Sequence, residues 1–461
     1  MRFANLIGPE LRQLLKEDPD QIQALLEEIH DEDLADLLAE LPDDEAAAIL
    51  ALLPTEEAAP IFERLDDEQQ AAIVTELGPE SIAQIAVEMS SDERADFIKE
   101  LSEEVGGQVL AGIEQIDPQA AEDVEELAQW PERSAGSLMT TGYISVTPLM
   151  SVTEVIQLIR RKGAKAETIY YVYALSDGKR LEGIASARDL LLADPQQKLS
   201  EILTSNLVTV PPEMNQEEVA KRLAKYDLAA IPVVDGGGAL RGVITVDDII
   251  DVLTQEQTED VQKLAGVQPL EAGYFQTTFW TFIRKRATWL IILFVEEFFT
   301  GSAMRHYDVV LQAVAKLSYY VPLLLSAGGN SGAQSSSLII RGLAVGEVKP
   351  ADWWRIIGRE LGQGIVLGVI LASVGVVRAL MWGDGIRFAM VVGATLVSIV
   401  VMGCVVGSML PLALRRVGFD PATSSTPFIA SLVDVLGIII YFNVAQSLLS
   451  ELIQASVVSH P

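Results

Sequence analysis

The stretch TPFIASLVDVLGIIIYF, residues 426–442, decides the fold. It continues apolar to residue 449, and at about 1.5 Å per residue it crosses the roughly 30 Å of bilayer hydrocarbon as a helix. It carries one carboxylate, Asp434, and no basic residue that could neutralise it. Four apolar segments precede it, at about 287–304, 310–340, 363–382 and 390–414. Soluble helices of such length rarely follow one another, so the C-terminal part is expected to cross a membrane five times. Arg284, Lys285 and Arg286 precede the first span. Arg341, Lys349, Arg355 and Arg359 follow the second, and Arg415 and Arg416 follow the fourth. The positive-inside bias then places the N-terminus in the cytoplasm and the C-terminus outside.

Carboxylates inside spans are costly and usually face a partner or a polar path. Asp434 therefore has two readings. It is bonded to a neighbouring helix, or it faces a path on the axis of a symmetric dimer, where two carboxylates suit a hard divalent cation. The second span contains PLLLSAGGNSGAQSSS (322–337). Gly328, Gly329 and Gly332 would weaken a helix and free backbone carbonyls, with Asn330 and Gln334 adding neutral oxygens. Close helix packing explains the same glycines and serines. Glu296 and Glu297 are unexpected in the first span. They line an outer vestibule, or they are buried and paired.

Upstream the texture becomes alternating strand and helix, twice. ISVTP, 144–148, leads through a helix and a strand to GIASARD, 183–189; VTVPP, 208–212, leads likewise to GVITVDD, 242–248. This is a duplicated β-α-β-β-α unit, and the tandem resembles a CBS-domain pair. Ser186, Arg188 and Asp189 in the first copy and Thr245 and Asp248 in the second fall where such domains can hold a nucleotide. The hydroxyls equally suit helix capping. Residues 254–283 read as a linking helix with an acidic face.

Residues 1–130 hold 35 Asp or Glu against 6 Lys or Arg, a balance of −29 out of −32 for the chain. That block repels nucleic acid and attracts hard cations. It is not disordered, because Leu41, Leu53, Leu65, Leu77, Met89 and Leu101 mark a 12-residue period, each followed by a polar helix start. Units of two turns bury their apolar faces only by stacking, which predicts a helical superhelix. A coiled coil needs a period of seven. The single Cys404 forms no intrachain disulfide. The N-terminus shows no apolar core of signal-peptide length.

The motifs GGNSGAQS (328–335) and LVDVLG (432–437), with the acidic superhelix, the CBS pair, the linking helix and the five spans, resemble the MgtE family of magnesium transporters over nearly the whole chain. The resemblance implies a multidomain fold: an all-α superhelix at 1–130, α/β CBS domains at 138–200 and 201–253, a linking or plug helix at 254–283, and a helical membrane domain at 284–455. It implies a homodimer in the cell membrane with one ion path on its axis. Mg²⁺ would pass inward down its gradient, and cytosolic Mg²⁺ would close the path. Asp434 would be the pore carboxylate, with Ala430 and Asn330 beside it. Regulatory carboxylates would be Glu57, Asp92 and Asp96 in the superhelix; Glu217, Asp227, Asp248 and Asp251 in the CBS pair; and Glu256, Glu259, Asp260 and Asp420 around the linking helix. Asn215, Thr254, Thr426 and Leu228 depart from the expected pattern. The absence of a Walker A motif predicts passive transport and no enzyme activity. Transport of cobalt, nickel or manganese, or an adenine-nucleotide sensor without conduction, are the competing expectations.

Overall fold

In the computed structural model, residue 26 and residues 29–454 are described, apart from 177, 178, 271, 272, 276 and 452. The first 25 residues of the expected acidic domain, and residue 455 at the end of the expected membrane domain, lie outside the described residues. Two compact units divide at Thr254 and Gln255.

The first unit opens with eight short helices: α1 (Asp31–Ala39), α2 (Asp43–Leu50), α3 (Thr55–Glu63), α4 (Asp67–Leu77), α5 (Pro79–Glu88), α6 (Ser91–Glu100), α7 (Glu103–Ile116) and α8 (Pro118–Ala128). The first seven begin 12 residues apart. Each start repeats one solution: a Pro, Gly, Asp, Ser or His caps it, and acids fill most first turns, where they favour the positive helix end. One stripe per helix is buried, as with Leu34, Ala35, Leu37 and Leu38 in α1. The periodic residues Leu41, Leu53, Leu65 and Met89 close the turns inside the same core.

The CBS tandem follows. Strands β1 (Ile144–Val146), β2 (Tyr171–Ser176) and β3 (Arg180–Ser186) form one sheet, β1 parallel and β3 antiparallel to β2. Helix α9 (Val152–Lys162) crosses between β1 and β2, and α10 (Ala187–Leu192) follows β3. The second copy has α11 (Gln216–Tyr226) and the antiparallel pair β4 (Ala230–Val234) and β5 (Leu240–Thr245). Its counterpart of β1 is reduced to one parallel bridge, Val210 to Val233 of β4, while Thr140 bridges Val243 on the far edge of β5.

Helix α12 (Val246–Leu264) runs across the division between the units. Helix was expected over 254–283 but stops at Leu264, where Gly266 at φ +72° ends it in a turn closed by Val267 N–H on the Gln262 carbonyl.

The second unit holds α13 (Phe279–His306), α14 (Asp308–Ala313), α15 (Val321–Ala344), α16 (Trp353–Met381), α17 (Ile386–Arg416) and α18 (Thr426–Leu448). Among the described residues, α13, α16 with the turn before it, α17 and α18 are long and apolar enough to cross a membrane. The 24-residue α15 has the length, but Gly, Ser, Asn and Gln dilute its apolar character. The span expected over 310–340 is broken instead. α14 ends at Ala313, a short 3-10 turn follows, and α15 starts at Val321 with Pro322 in its first turn. Asp384, in the α16–α17 loop, pins that break by accepting from Lys316 Nζ at 2.8 Å and the Tyr320 hydroxyl at 2.7 Å. Helix α17 lies in the centre of this unit, against α15, α16 and α18, while α13 packs mainly on α18.

Candidate functional site

Asp434 sits midway along α18 and is half-buried. α18 contains no basic residue. The close neighbour across the helix pair is α15, whose Gly329 lies where a Cβ would come 3.3 Å from the Ala430 Cβ and 3.9 Å from Asp434 Oδ1. Ala430, one turn before Asp434, thus shares its face toward α15. Asn330 opens onto a groove of about 660 Å³ between α15, α16 and α17, together with Ser326, Gln334 and Arg378. The glycines do not interrupt α15, which is α-helical from Val321 to Ala344. The expectation that they free backbone carbonyls is therefore corrected. They permit close approach: a Cβ on Gly403 or Gly407 of α17 would strike the α15 backbone at Gly328 or Gly332.

Glu296 and Glu297 on α13 lie within electrostatic reach of Asp434. One Glu296 oxygen is shut off from solvent without a hydrogen-bond partner. A further carboxylate, Glu360 of α16, is buried and accepts from Ser335 Oγ of α15 at 2.7 Å. The sequence missed it because the third span was expected to start at residue 363.

In the first unit, the start of α6 meets the CBS pair. Ser91 Oγ lies 3.0 Å from Thr140 Oγ1 and accepts from the Thr141 N–H at 2.8 Å. Glu63 of α3 takes the capping role for α6, accepting from the Ser90 N–H at 2.6 Å. This contact buries Asp92, 8% exposed, with one carboxylate oxygen unpartnered. Burial first, and then the Asp248 carboxylate, push Asp92 well above the usual carboxylate range. Asp248 is raised as well, chiefly by burial and then by Asp247 and Asp251, against the lowering bonds from Thr245. Of the proposed cytosolic acids, Asp92 and Asp248 are thus the pair brought together here.

Asp96, Glu217 and Asp227 serve visible local purposes. Asp96 pairs with Lys99 at 2.8 Å and Glu217 with Lys221 at 2.6 Å. Asp227 ends α11 in the left-handed conformation, φ 53°. Asn215, where an acid was expected, caps α11 by accepting from the Glu217 N–H. Glu57 and Asp251 are exposed. Ser186 and Asp189 form a reciprocal capping box for α10, and at the start of α12 Asp248 accepts from both the N–H and the hydroxyl of Thr245. Arg188 is exposed. The hydroxyl–carboxylate pairs therefore serve helix capping.

In the second unit, Glu259 is buried and Glu256 and Asp260 are partly exposed. Lys263 Nζ lies 2.9 Å from Asp420 Oδ2 and 3.3 Å from Glu259 Oε2. Asp420 Oδ1 accepts from the Ala422 N–H. Gly266 lies so close to Trp289 that a Cβ would collide with its indole, and Trp289 Nε1 donates to Ser425 Oγ at 3.0 Å. Among the described residues no three His, Cys, Asp or Glu side chains converge as a metal cage. Paired carboxylates suit a cation that keeps most of its waters, as Mg²⁺ does.

A helical membrane unit with an intramembrane carboxylate, joined to a CBS pair and an acidic helical array, defines a multi-pass membrane protein of the transporter class. Residues 321–444 match the divalent cation transporter family MgtE, residues 11–133 the MgtE intracellular N domain, and residues 135–195 and 199–255 the CBS domain. The chain is 43% identical over 334 residues to the magnesium transporter MgtE of Thermus thermophilus, covering 72% of this chain and 74% of that one. It is 31% identical over 329 residues to the magnesium transporter MgtE of Bacillus subtilis, covering 71% and 72%. A crystal structure of the soluble part of a magnesium transporter superimposes with a TM-score of 0.51 at 27% identity, covering 54% of this chain and 97% of that one. The chain belongs to the MgtE family, whose named members here are transporters and not enzymes.

Proposed function

We propose that this chain conducts Mg²⁺ across the cell membrane into the cytoplasm, down the electrochemical gradient, as a homodimer with Asp434 on the ion path. The observation that carries the reading is a carboxylate midway along an apolar helix with no cation in that helix. It is supported by family membership and by the two acids of α13 within reach. An inside-negative potential adds about 2.3 kcal/mol per charge per 100 mV, so roughly twice that for Mg²⁺, and no nucleotide hydrolysis is needed. Hard oxygen donors favour Mg²⁺ over cobalt or nickel. The N-terminus and CBS pair are cytoplasmic in this reading and the C-terminus is outside.

Cytosolic Mg²⁺ closes the path by neutralising acids that repel one another. Asp92 with Asp248, and Glu259 with Asp420, are the pairs we assign, with Glu57, Asp96, Glu217, Asp227, Asp251, Glu256 and Asp260 contributing weaker field. Sites of millimolar affinity acting together suffice, because a full switch needs only about 5.5 kcal/mol of differential binding. Mg²⁺ flux into liposomes containing the purified protein tests the reading. Flux is expected in the parent and lost in Asp434→Ala, while Asp434→Glu retains part. An Ala variant that conducts like the parent removes Asp434 from the path, and a parent that conducts nothing favours a sensor.

A further inference from the structure

Lys263 occupies the position between the two carboxylates assigned above to a cytosolic cation. Its ammonium bonds Asp420 at 2.9 Å and Glu259 at 3.3 Å. Glu259 is buried, and the Lys263 side chain is about one quarter exposed, so solvent screens the arrangement only in part. The fold brings the Lys263 backbone to these acids. Lys263 stands in the last turn of α12, one residue before the helix ends at Leu264, and Gly266 is seated against Trp289, which is itself hydrogen-bonded to Ser425 near Asp420. Asp420 is held in turn by the Ala422 N–H. An ammonium and a divalent cation cannot share the same oxygens without strong mutual repulsion.

We infer that Lys263 is a tethered competitor for the divalent cation at Glu259 and Asp420, setting the cytosolic concentration at which the path closes. The inference rests on the gating reading above. With Mg²⁺ scarce, the ammonium holds the end of α12 to Asp420. With Mg²⁺ abundant, the cation displaces the ammonium, and the apparent affinity is weakened by the factor that Lys263 occupancy imposes. The alternative role, a plain strut holding the closed arrangement, predicts the opposite sign. Loss of a strut raises the Mg²⁺ needed for closure, whereas loss of a competitor lowers it.

The test is Mg²⁺ flux in liposomes at graded cytosolic-side Mg²⁺, for the full-length parent, Lys263→Met, Lys263→Gln and Lys263→Arg. Protease protection of residues 255–283 is measured in the same preparations, so a variant that conducts poorly is still read. Met and Gln are expected to lower the half-closing and half-protecting Mg²⁺ by about fivefold, the scale of a partly screened ion pair. At zero Mg²⁺ they should conduct no more than the parent, since the ammonium holds the Mg²⁺-free arrangement, while Arg stays near the parent throughout. An unchanged or raised half-closing concentration in Met and Gln, with normal closure of the parent, overturns the competitor role alone. A parent whose flux and cleavage both ignore cytosolic Mg²⁺ overturns the gating reading and this inference with it.

Discussion

At the scale of single residues, the proposed function turns on charge without a counter-charge in its own helix. Asp434 should be irreplaceable by a neutral side chain, with flux falling about tenfold or more in the Ala variant. Glu296 and Glu297 act on the same path in our reading. Their double Gln variant should need several-fold more external Mg²⁺ for half-maximal flux, with maximal flux less changed because Asp434 remains. An unchanged concentration dependence leaves them a structural role. Asp92 makes a different case, because its raised protonation range carries a sign. Its charged form is disfavoured in the folded state, so stability is greatest below the unfolded value of about 3.9 and falls as pH rises toward the folded value. Asp92→Asn removes that cost. At neutral pH without Mg²⁺ it should melt higher than the parent, by about 2–4 °C for a gain of about 1 kcal/mol. It should also lose most of the stabilisation that Mg²⁺ gives the parent. Melting curves with and without Mg²⁺ check both, and a variant that keeps the full Mg²⁺ increment removes Asp92 from the cation site. The sequence pointed to Asp92 through family resemblance only. Its burial comes from Ser91 and Thr140, a contact that no local pattern announces.

At the scale of elements, small residues set how near helices approach. α15 and α17 meet backbone to backbone along Gly328, Gly332, Gly403 and Gly407. Gly407→Ala places a methyl against the Gly332 carbonyl, which cannot rotate away, so about 1–3 kcal/mol should be lost. Thermal unfolding in detergent should show the loss, whereas Gly362→Ala, on an open face of α16, should be near neutral. Equal effects would show that the glycines do not set the spacing. The short helices of the acidic array follow a different rule. Two or three turns are marginal alone, and their regular starts matter because stacking supplies the missing burial.

At the scale of the whole molecule, the gating reading makes acidity the control variable. The described and undescribed parts of residues 1–130 carry −29 between them, and the CBS pair and α12 add further acids. Chelating Mg²⁺ should increase repulsion, and cleavage within residues 251–283 should accelerate several-fold. Combined neutralisation of Asp248, Asp251, Glu256 and Glu259 should leave flux indifferent to cytosolic Mg²⁺. Time courses of proteolysis with and without chelator decide the first point. Identical rates in the parent would remove the cation switch.

The sequence by itself determined the parts that repeat or run on. The 12-residue period gave the helix starts, the duplicated strand-helix pattern gave the CBS tandem, and unbroken apolar length gave the long helices. Each is a local regularity, fixed by how often an apolar side chain must return to one face. Only the tertiary structure decided which charges meet. Lys263 and Asp420 stand 157 residues apart, and Asp92 comes within electrostatic reach of Asp248 beside the contact of Ser91 with Thr140. It also decided that the glycines of α15 are packing surface, since a free carbonyl and a close helix neighbour leave the same residues in the sequence. Electrostatic partners are chosen by distance in space, and a chain that folds back on itself carries no periodic record of that choice.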